Sequence, residues 1–393
     1  MANTVRVTSR QSWLSRIGKS MVGLLIGLVL FVGAFPLLWW NEGRAVHRAR
    51  SLAEGAKTVS DVPADRVDPG REGTLVHLTG LATTDEVLTD GDFGITAPAI
   101  RLVRTAETYQ WKEESKSEKR TKFGGSEETV TTYRYTKAWS SRHVDSSSFH
   151  EPEGHENPSS LGWESRTVDA GRVTCGAFTL GQNLVSKINR AEPRPAAPGD
   201  EAGLRAQGFR VAQGVFYKGA DPGSPQVGDV RVRFEVVRPQ TVSLVAVQRG
   251  STFEAYRARA GSDILLLQEG EVSAADMFEA AVRANAVTTW LVRLGGFAAM
   301  FIGLALVLQP ISVIGSVVPA VGKVLGTGFG LLSFVIAAVL SLTVMAFAWL
   351  AYRPLMAVSL MALAVGALVL LLRSRRTKAV VVPPPIPPPI PQA

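Results

Sequence analysis

LLWWNEGRAV, residues 37–46, is the stretch whose reading decides the fold. The twenty residues before its polar turn, Met21 to Trp40, carry no charge. As a helix rising 1.5 Å per residue they measure about 30 Å, the thickness of a bilayer's hydrocarbon core. An amide, a carboxylate, a glycine and a guanidinium follow at once. Indole rings settle at headgroup depth and charge returns where water returns. Trp39, Trp40, Asn41, Glu42, Gly43 and Arg44 therefore read as a membrane-interface set, with Gly43 free to turn the chain. Arg6, Arg10, Arg16 and Lys19 precede the span without an acid, as in a signal peptide. The apolar run is too long for a cleaved leader, however, and no small-x-small site closes it, so it reads as an uncleaved anchor. Pro36, close to the exit, is a candidate kink.

Three further apolar runs lie near the C-terminus, at 294–314, 324–350 and 354–372. Only Ala351, Tyr352 and Arg353 separate the last two, which predicts a tight antiparallel helix hairpin. Charge is segregated in the same pattern. The net charge of +8 comes from acid-free basic residues in both end regions, and the middle is near neutral. That distribution argues against a nucleic-acid surface and names the lipid bilayer as partner. Four spans put both termini on one side, and the positive-inside rule makes that side cytoplasmic.

The expected chain is an α+β membrane protein with four transmembrane helices, one N-terminal and three C-terminal. It divides into a basic cytoplasmic N-tail (1–20), transmembrane helix 1 (21–40), a β-rich extracytoplasmic or lumenal domain (41–293), transmembrane helices 2 to 4 (294–314, 324–350, 354–372) and a basic then proline-rich cytoplasmic tail (373–393). Within the domain, Ala45 to Ala53 continues the first helix, with Arg44 and Arg48 one turn apart beside lipid phosphates. TLVHL (Thr74–Leu78) and Ile100–Trp111 read as strands, and Tyr109–Trp139 as a long hairpin turning at Gly124 and Gly125 with its charged tip in water. VGDVRVRFEVV (Val227–Val237) alternates as a half-buried strand and is expected to pair with TVSLVAVQRG (Thr241–Gly250). Ser273 and Asp276 form a capping-box pattern opening a helix that runs into the second span.

Chemistry is scarce. His143, His150 and His155 are the only candidate metal ligands, with Glu151, Glu153 and Glu156 beside them. Their spacing is not that of a zinc-binding helix, and Pro152 and Gly154 oppose one, so no metal is assigned. Asp92 to Gly94 spells DFG without the rest of a kinase, and no phosphate-binding loop, nucleophile elbow or dinucleotide fingerprint occurs. No catalytic residue and no cofactor is expected. Cys175 is the only cysteine, which excludes an internal disulfide. Spans two to four hold no carboxylate or histidine, which argues against a proton-coupled pump but leaves Ser333, Ser341 and Thr343 as hydroxyls for a pore. Gly23 and Gly27 form a G-x-x-x-G helix-packing face, within one protomer or between protomers.

WNEGRAV (Trp40–Val46), YQWKE (Tyr109–Glu113), GHENPS (Gly154–Ser159), VGDVRVRF (Val227–Phe234), QRG (Gln248–Gly250) and YRPL (Tyr352–Leu355) together resemble the transmembrane protein 43, or LUMA, family, collinearly over nearly the whole chain. The resemblance implies one N-terminal span, a large extracytoplasmic domain and three C-terminal spans. It also implies a self-associating organiser of membrane protein complexes, with no catalytic residues to transfer. Eukaryotic members of the family sit in the endoplasmic reticulum and inner nuclear membrane and are connected with lamins and emerin. The richness in alanine, arginine and glycine and the proline-rich tail point to a bacterial member in the cytoplasmic membrane, where those two partners do not carry over. The expected function is a homo-oligomeric membrane scaffold that engages other membrane proteins. The rivals are an ion channel or pore component, and a lipid-binding protein or enzyme at the membrane surface.

Overall fold

A computed structural model describes residues 4–197, 199–355, 358, 359 and 366. After an N-terminal strand, β1 (Thr4–Gln11), one helix, α1, runs from Trp13 to Thr58. Ser12 caps it, its Oγ accepting from Ser15 N at 3.3 Å. The helix does not end at the tryptophans. It passes through Pro36 and Gly43 and carries a buried stripe, Asn41, Glu42, Gly43, Ala45 and Val46, well past the apolar run. Packing on a partner helix along this whole stripe keeps the backbone helical where composition alone suggests a turn.

The partner is α2 (Ala274–Gly315), opened by the Ser273 cap, whose Oγ accepts from Asp276 N at 3.2 Å. It lies antiparallel to α1 over its full length. At one end Gly55 meets Phe278, and at the other Trp13 Nε1 donates to Val313 O at 3.0 Å. After a short turn α3 (Pro319–Tyr352) returns, with proline in its first turn where no amide partner is needed. Among the described residues three helices are long and apolar enough to cross a membrane, and most of the fourth span expected at 354–372 falls outside them. Ala34, Leu38, Met300 and Ala337 form the apolar seam of the three-helix bundle.

Between α1 and α2 the described residues build two large packed sheets and two small two-stranded ones. β2 (Leu75–Thr83) belongs to one of the large sheets. The other holds β3 (Arg101–Thr121) and β4 (Glu127–Ser140), joined by the turn at Gly124 and Gly125, which take φ values of 84° and 76° that favour glycine. β5 (Val230–Val237) pairs antiparallel with the first part of β3, Val230 opposite Thr108 and Val237 opposite Arg101. β6 (Gln240–Arg249) lies in the β2 sheet, Leu244 opposite Leu78. The expected pairing of β5 with the strand that follows it is thus incorrect. Arg238 and Pro239 carry the chain from one sheet to the other, and proline cannot donate to a ladder.

The sheets enclose Val76, Leu78, Leu102, Ala106, Val232, Phe234 and Leu244. Phe93 sits among Trp163, Phe209, Phe216 and Phe234 with ring centroids 5.0 to 5.7 Å away, all edge-on. β6 is buried on both faces because Val245 points the other way, into a second cluster with Leu52 of α1 and Met277 and Phe278 of α2. That cluster fastens the domain to the helices.

The basic N-tail contains a strand that was not expected. β1 adds to the edge of β4, from Thr4 opposite Arg134 to Gln11 opposite Glu127. The hairpin tip is not free in water either. Gly124 N donates to Val317 O at 3.0 Å, and Arg16 bonds both Gly125 O and Ser316 Oγ. The hairpin therefore starts at the domain end of the helices and finishes at their opposite end. The lengths agree: 21 strand residues and 46 helical residues each extend about 69 Å.

Candidate functional site

The residues expected to mark the exit from the membrane instead form a polar seam between three helices. Glu42 is 1% exposed. Its carboxylate accepts from Arg293 Nε at 2.6 Å and Nη2 at 2.8 Å, and from Trp349 Nε1 at 2.8 Å. One side chain of α1 thus holds α2 and α3 together. A buried ion pair offsets its desolvation only with good geometry and satisfied lone pairs, and the bidentate guanidinium plus an indole N–H meets that requirement. Asn41 is also fully buried, its Nδ2 donating to Thr289 O at 3.1 Å. Arg44 donates from Nη1 to Asn285 Oδ1 at 3.1 Å, and from Nη2 to Asn41 Oδ1 at 3.2 Å and Thr289 Oγ1 at 3.1 Å.

Gly43 makes room rather than a turn. A Cβ placed there would lie 2.7 Å from Tyr352 Cζ, so only glycine admits the ring that ends α3. That ring also sits 6.0 Å from the rings of Trp39 and His47. Trp39 and Trp40 face outward at 39% and 58% exposure, level with Trp290 on α2, which is 67% exposed. The guanidinium of Arg293 stacks 4.7 Å over Trp290. An aromatic belt on the outside and an ion pair on the inside share one level of the bundle. For Asn41 and Glu42 the expected return to water is corrected to burial in the seam. Arg293, Trp349 and Tyr352 were not anticipated as partners. The available signal was Arg293, the last charge before an apolar run and complementary to Glu42 at the matching end of another one.

Gly27 and Gly23 face α2 of the same chain. A Cβ on Gly27 would approach Gly303 O to 2.6 Å, and one on Gly23 would meet Gln309 Oε1 at 3.1 Å. Close helix approach accounts for both, with Gly303 opposite Gly27 and the Gln309 side chain opposite Gly23.

The three histidines go to different partners. His143 Nε2 lies 2.8 Å from Pro158 O, His150 stacks on Tyr133 at 4.4 Å, and buried His155 stacks on Tyr135 at 3.9 Å and meets Trp111 edge-on at 4.8 Å. Among the described residues no group of three or more His, Cys, Asp or Glu side chains is placed to hold a metal ion. The rings of His150 and His155 fasten the loop 143–160 to the hairpin, and His143 ties the loop to itself. Tyr135 Oη donates to Glu113 Oε2 at 2.7 Å, and burial with this bond pushes the phenol up to about 12.

Residues 108–354 match the family model for Transmembrane protein 43. The rat protein of that name is 34% identical over 93% of this chain and 94% of its own length, and the human protein is 32% identical over 92% of each. The chain belongs to the Transmembrane protein 43 family. A Drosophila melanogaster Transmembrane protein 43 homolog is 31% identical over 86% of this chain and 90% of its own length. No solved structure matches. The segment shared with the family model contains the hairpin, most of the domain, α2 and α3, and with them Arg293, Trp349 and Tyr352. The chain is an integral membrane protein, with lipid around its apolar helices.

Proposed function

We propose that the protein is a non-catalytic, self-associating membrane scaffold that organises membrane protein complexes through the domain between α1 and α2. The observation that carries this reading is the polar sheet alongside the apolar helices. Residues 114–120 of β3 are exposed, and from Lys112 onward β3 has a ladder partner only on its β4 side. The outer edge of β1 has no strand partner among the described residues. Open sheet edges do not face lipid, because backbone N–H and C=O groups find no partner there. Several copies with their sheets turned inward and helices outward would enclose those edges. Arg16, Lys19 and Lys323 lie on the helix segments at the end of the bundle where the hairpin tip also arrives, Arg16 pairing with Glu127 at 3.5 Å, and these basic residues favour a cytoplasmic face at that end with the body of the domain on the other side. The membrane is then the cytoplasmic membrane of a bacterium, or the endoplasmic reticulum or inner nuclear membrane of a eukaryote.

The test combines the mass of the solubilised particle with a cross-link in membranes. Within one copy β1 and β3 are separated by β4, about 9.5 Å apart, beyond the roughly 7 Å between Cα atoms that a disulfide spans. Arg6→Cys with Lys116→Cys would therefore bond only between copies. A closed oligomer with covalent dimers is expected, and a monomer in lipid without cross-links would overturn the proposal. The same enclosed polar strands favour a second reading, a water-filled pore. Ion flux from the purified protein in liposomes would support it, and an oligomer without flux leaves the scaffold alone.

A further inference from the structure

Just above the aromatic belt, one face of α1 and the adjoining edge of the domain carry a cluster of cations held by neutral atoms. Arg44 and Arg48 are one turn apart. Arg44 bonds only amide and hydroxyl oxygens, as described above. Arg48 Nη1 donates to the backbone carbonyl of Asp263, and Lys187 Nζ to that of Leu265, two residues further along the same strand region. Arg50 Nη2 donates to Tyr352 O at 2.8 Å, and His47 Nδ1 lies 2.8 Å from Ala260 O. None of these groups makes an ion pair among the described residues, whereas Arg293, slightly deeper, has Glu42. The nearest acids are otherwise engaged or set back. Glu54 accepts from Tyr256 Oη and Arg259 N, and Asp263 meets Arg48 through its carbonyl, its carboxylate favouring the Arg48 charge from a distance without an ion pair. Burial and the neighbouring Arg48 hold the Lys187 ammonium below the ordinary lysine range.

Three cations held together with no carboxylate in ion-pair contact, and only Asp263 nearby, keep an excess of positive charge that marks a place for an anion. Depth identifies its source. Arg44 and Arg48 lie four and eight residues past Trp40, about 6 and 12 Å along the helix axis. The headgroup layer extends roughly 5–8 Å beyond the hydrocarbon, and a guanidinium reaches several ångströms from its helix. The carbonyl bonds use one nitrogen of Arg48 and one hydrogen of Lys187, so both keep donors for phosphate oxygens.

We infer that Arg48 and Lys187, backed by Arg44, form a binding site for the phosphate of an anionic membrane lipid. The site fixes the height and tilt of α1 at the outer leaflet. It is independent of self-association, since every group belongs to one chain.

The experiment uses the full chain in nanodiscs of mixed phosphatidylglycerol and phosphatidylcholine, with bound lipid read by native mass spectrometry. At about fivefold per cation, enrichment of phosphatidylglycerol over its bulk fraction should fall by roughly 25-fold, or to parity, in Arg48→Gln/Lys187→Gln. Arg48→Lys/Lys187→Arg should retain most of it. Raising salt tenfold should lower the wild-type enrichment without any variant, so the test survives a variant that misfolds. Undiminished enrichment in the Gln variant, or none in the wild type, overturns the inference. Equal retention of soluble glycerol phosphate in detergent would assign the site to a free phosphate ester and likewise overturn the lipid assignment.

Discussion

Replacing Glu42 by leucine removes the carboxylate and leaves two donors behind it, the Arg293 guanidinium, 14% exposed, and the Trp349 N–H. Removing one partner of a buried pair costs about 3–5 kcal/mol, because an uncompensated charge stays buried. Arg293→Met exposes the converse problem, a buried carboxylate with only an indole for company, at similar cost. Replacing both, Glu42→Leu with Arg293→Met, removes both charges and leaves mainly the unpaired Trp349 N–H, about 1–3 kcal/mol. The double variant should therefore be more stable than either single variant, with a coupling of at least about 3 kcal/mol, or more than a hundredfold in the folding equilibrium. Denaturant unfolding in detergent, followed by maleimide capture of Cys175, measures all four corners of the cycle. Single variants costing less than about 1 kcal/mol, or additive effects, would show that the pair is solvated and that the seam does not hold the helices.

Two other outcomes follow from close contacts described above, and a third from the burial of Cys175 in the domain core. Gly43→Leu drives a side chain into the Tyr352 ring and should displace the end of α3, destabilising by about 1–3 kcal/mol; a distance between labels on α1 and the end of α3 reports it, and an unchanged distance would refute the packing role. Gly27→Leu should separate α1 from α2 in the monomer itself, since its nearest neighbour is the backbone of Gly303 in the same chain. A cross-link engineered between the two helices should lose yield in monomeric protein. Burial pushes the Cys175 thiol up to about 11, so at pH 8 about one thiol in a thousand is ionised, and the native protein should resist maleimide for hours yet react at once when unfolded.

The first span was legible from its length and lack of charge, and so were the α2 cap at Ser273 and the glycine turn of the hairpin, because each depends on neighbours in sequence. The ladder partners were not. Val232 opposes Ala106, more than a hundred residues away, and nothing local distinguishes that edge from the one expected. β1 shows its period-two pattern in Val5 and Val7, but its ladder partner is remote, Val5 opposing Tyr133 more than a hundred residues away. Glu42 gave the largest misreading. A carboxylate after tryptophans looks the same whether it meets water or a guanidinium 251 residues downstream, and only the tertiary fold separates the two.

The equal lengths of the hairpin and α1 have a mechanical meaning. Two rods joined at both ends, at one through the packed sheets and the cluster of Leu52 with Leu75 and Val245, and at the other by Trp13, Arg16 and Val317 with the turn glycines, make a closed frame. An open lever lets its head swivel while its foot stays still. A closed frame transmits twist, so a load on the domain reaches the far ends of the helices as torque, without any helix having to slide.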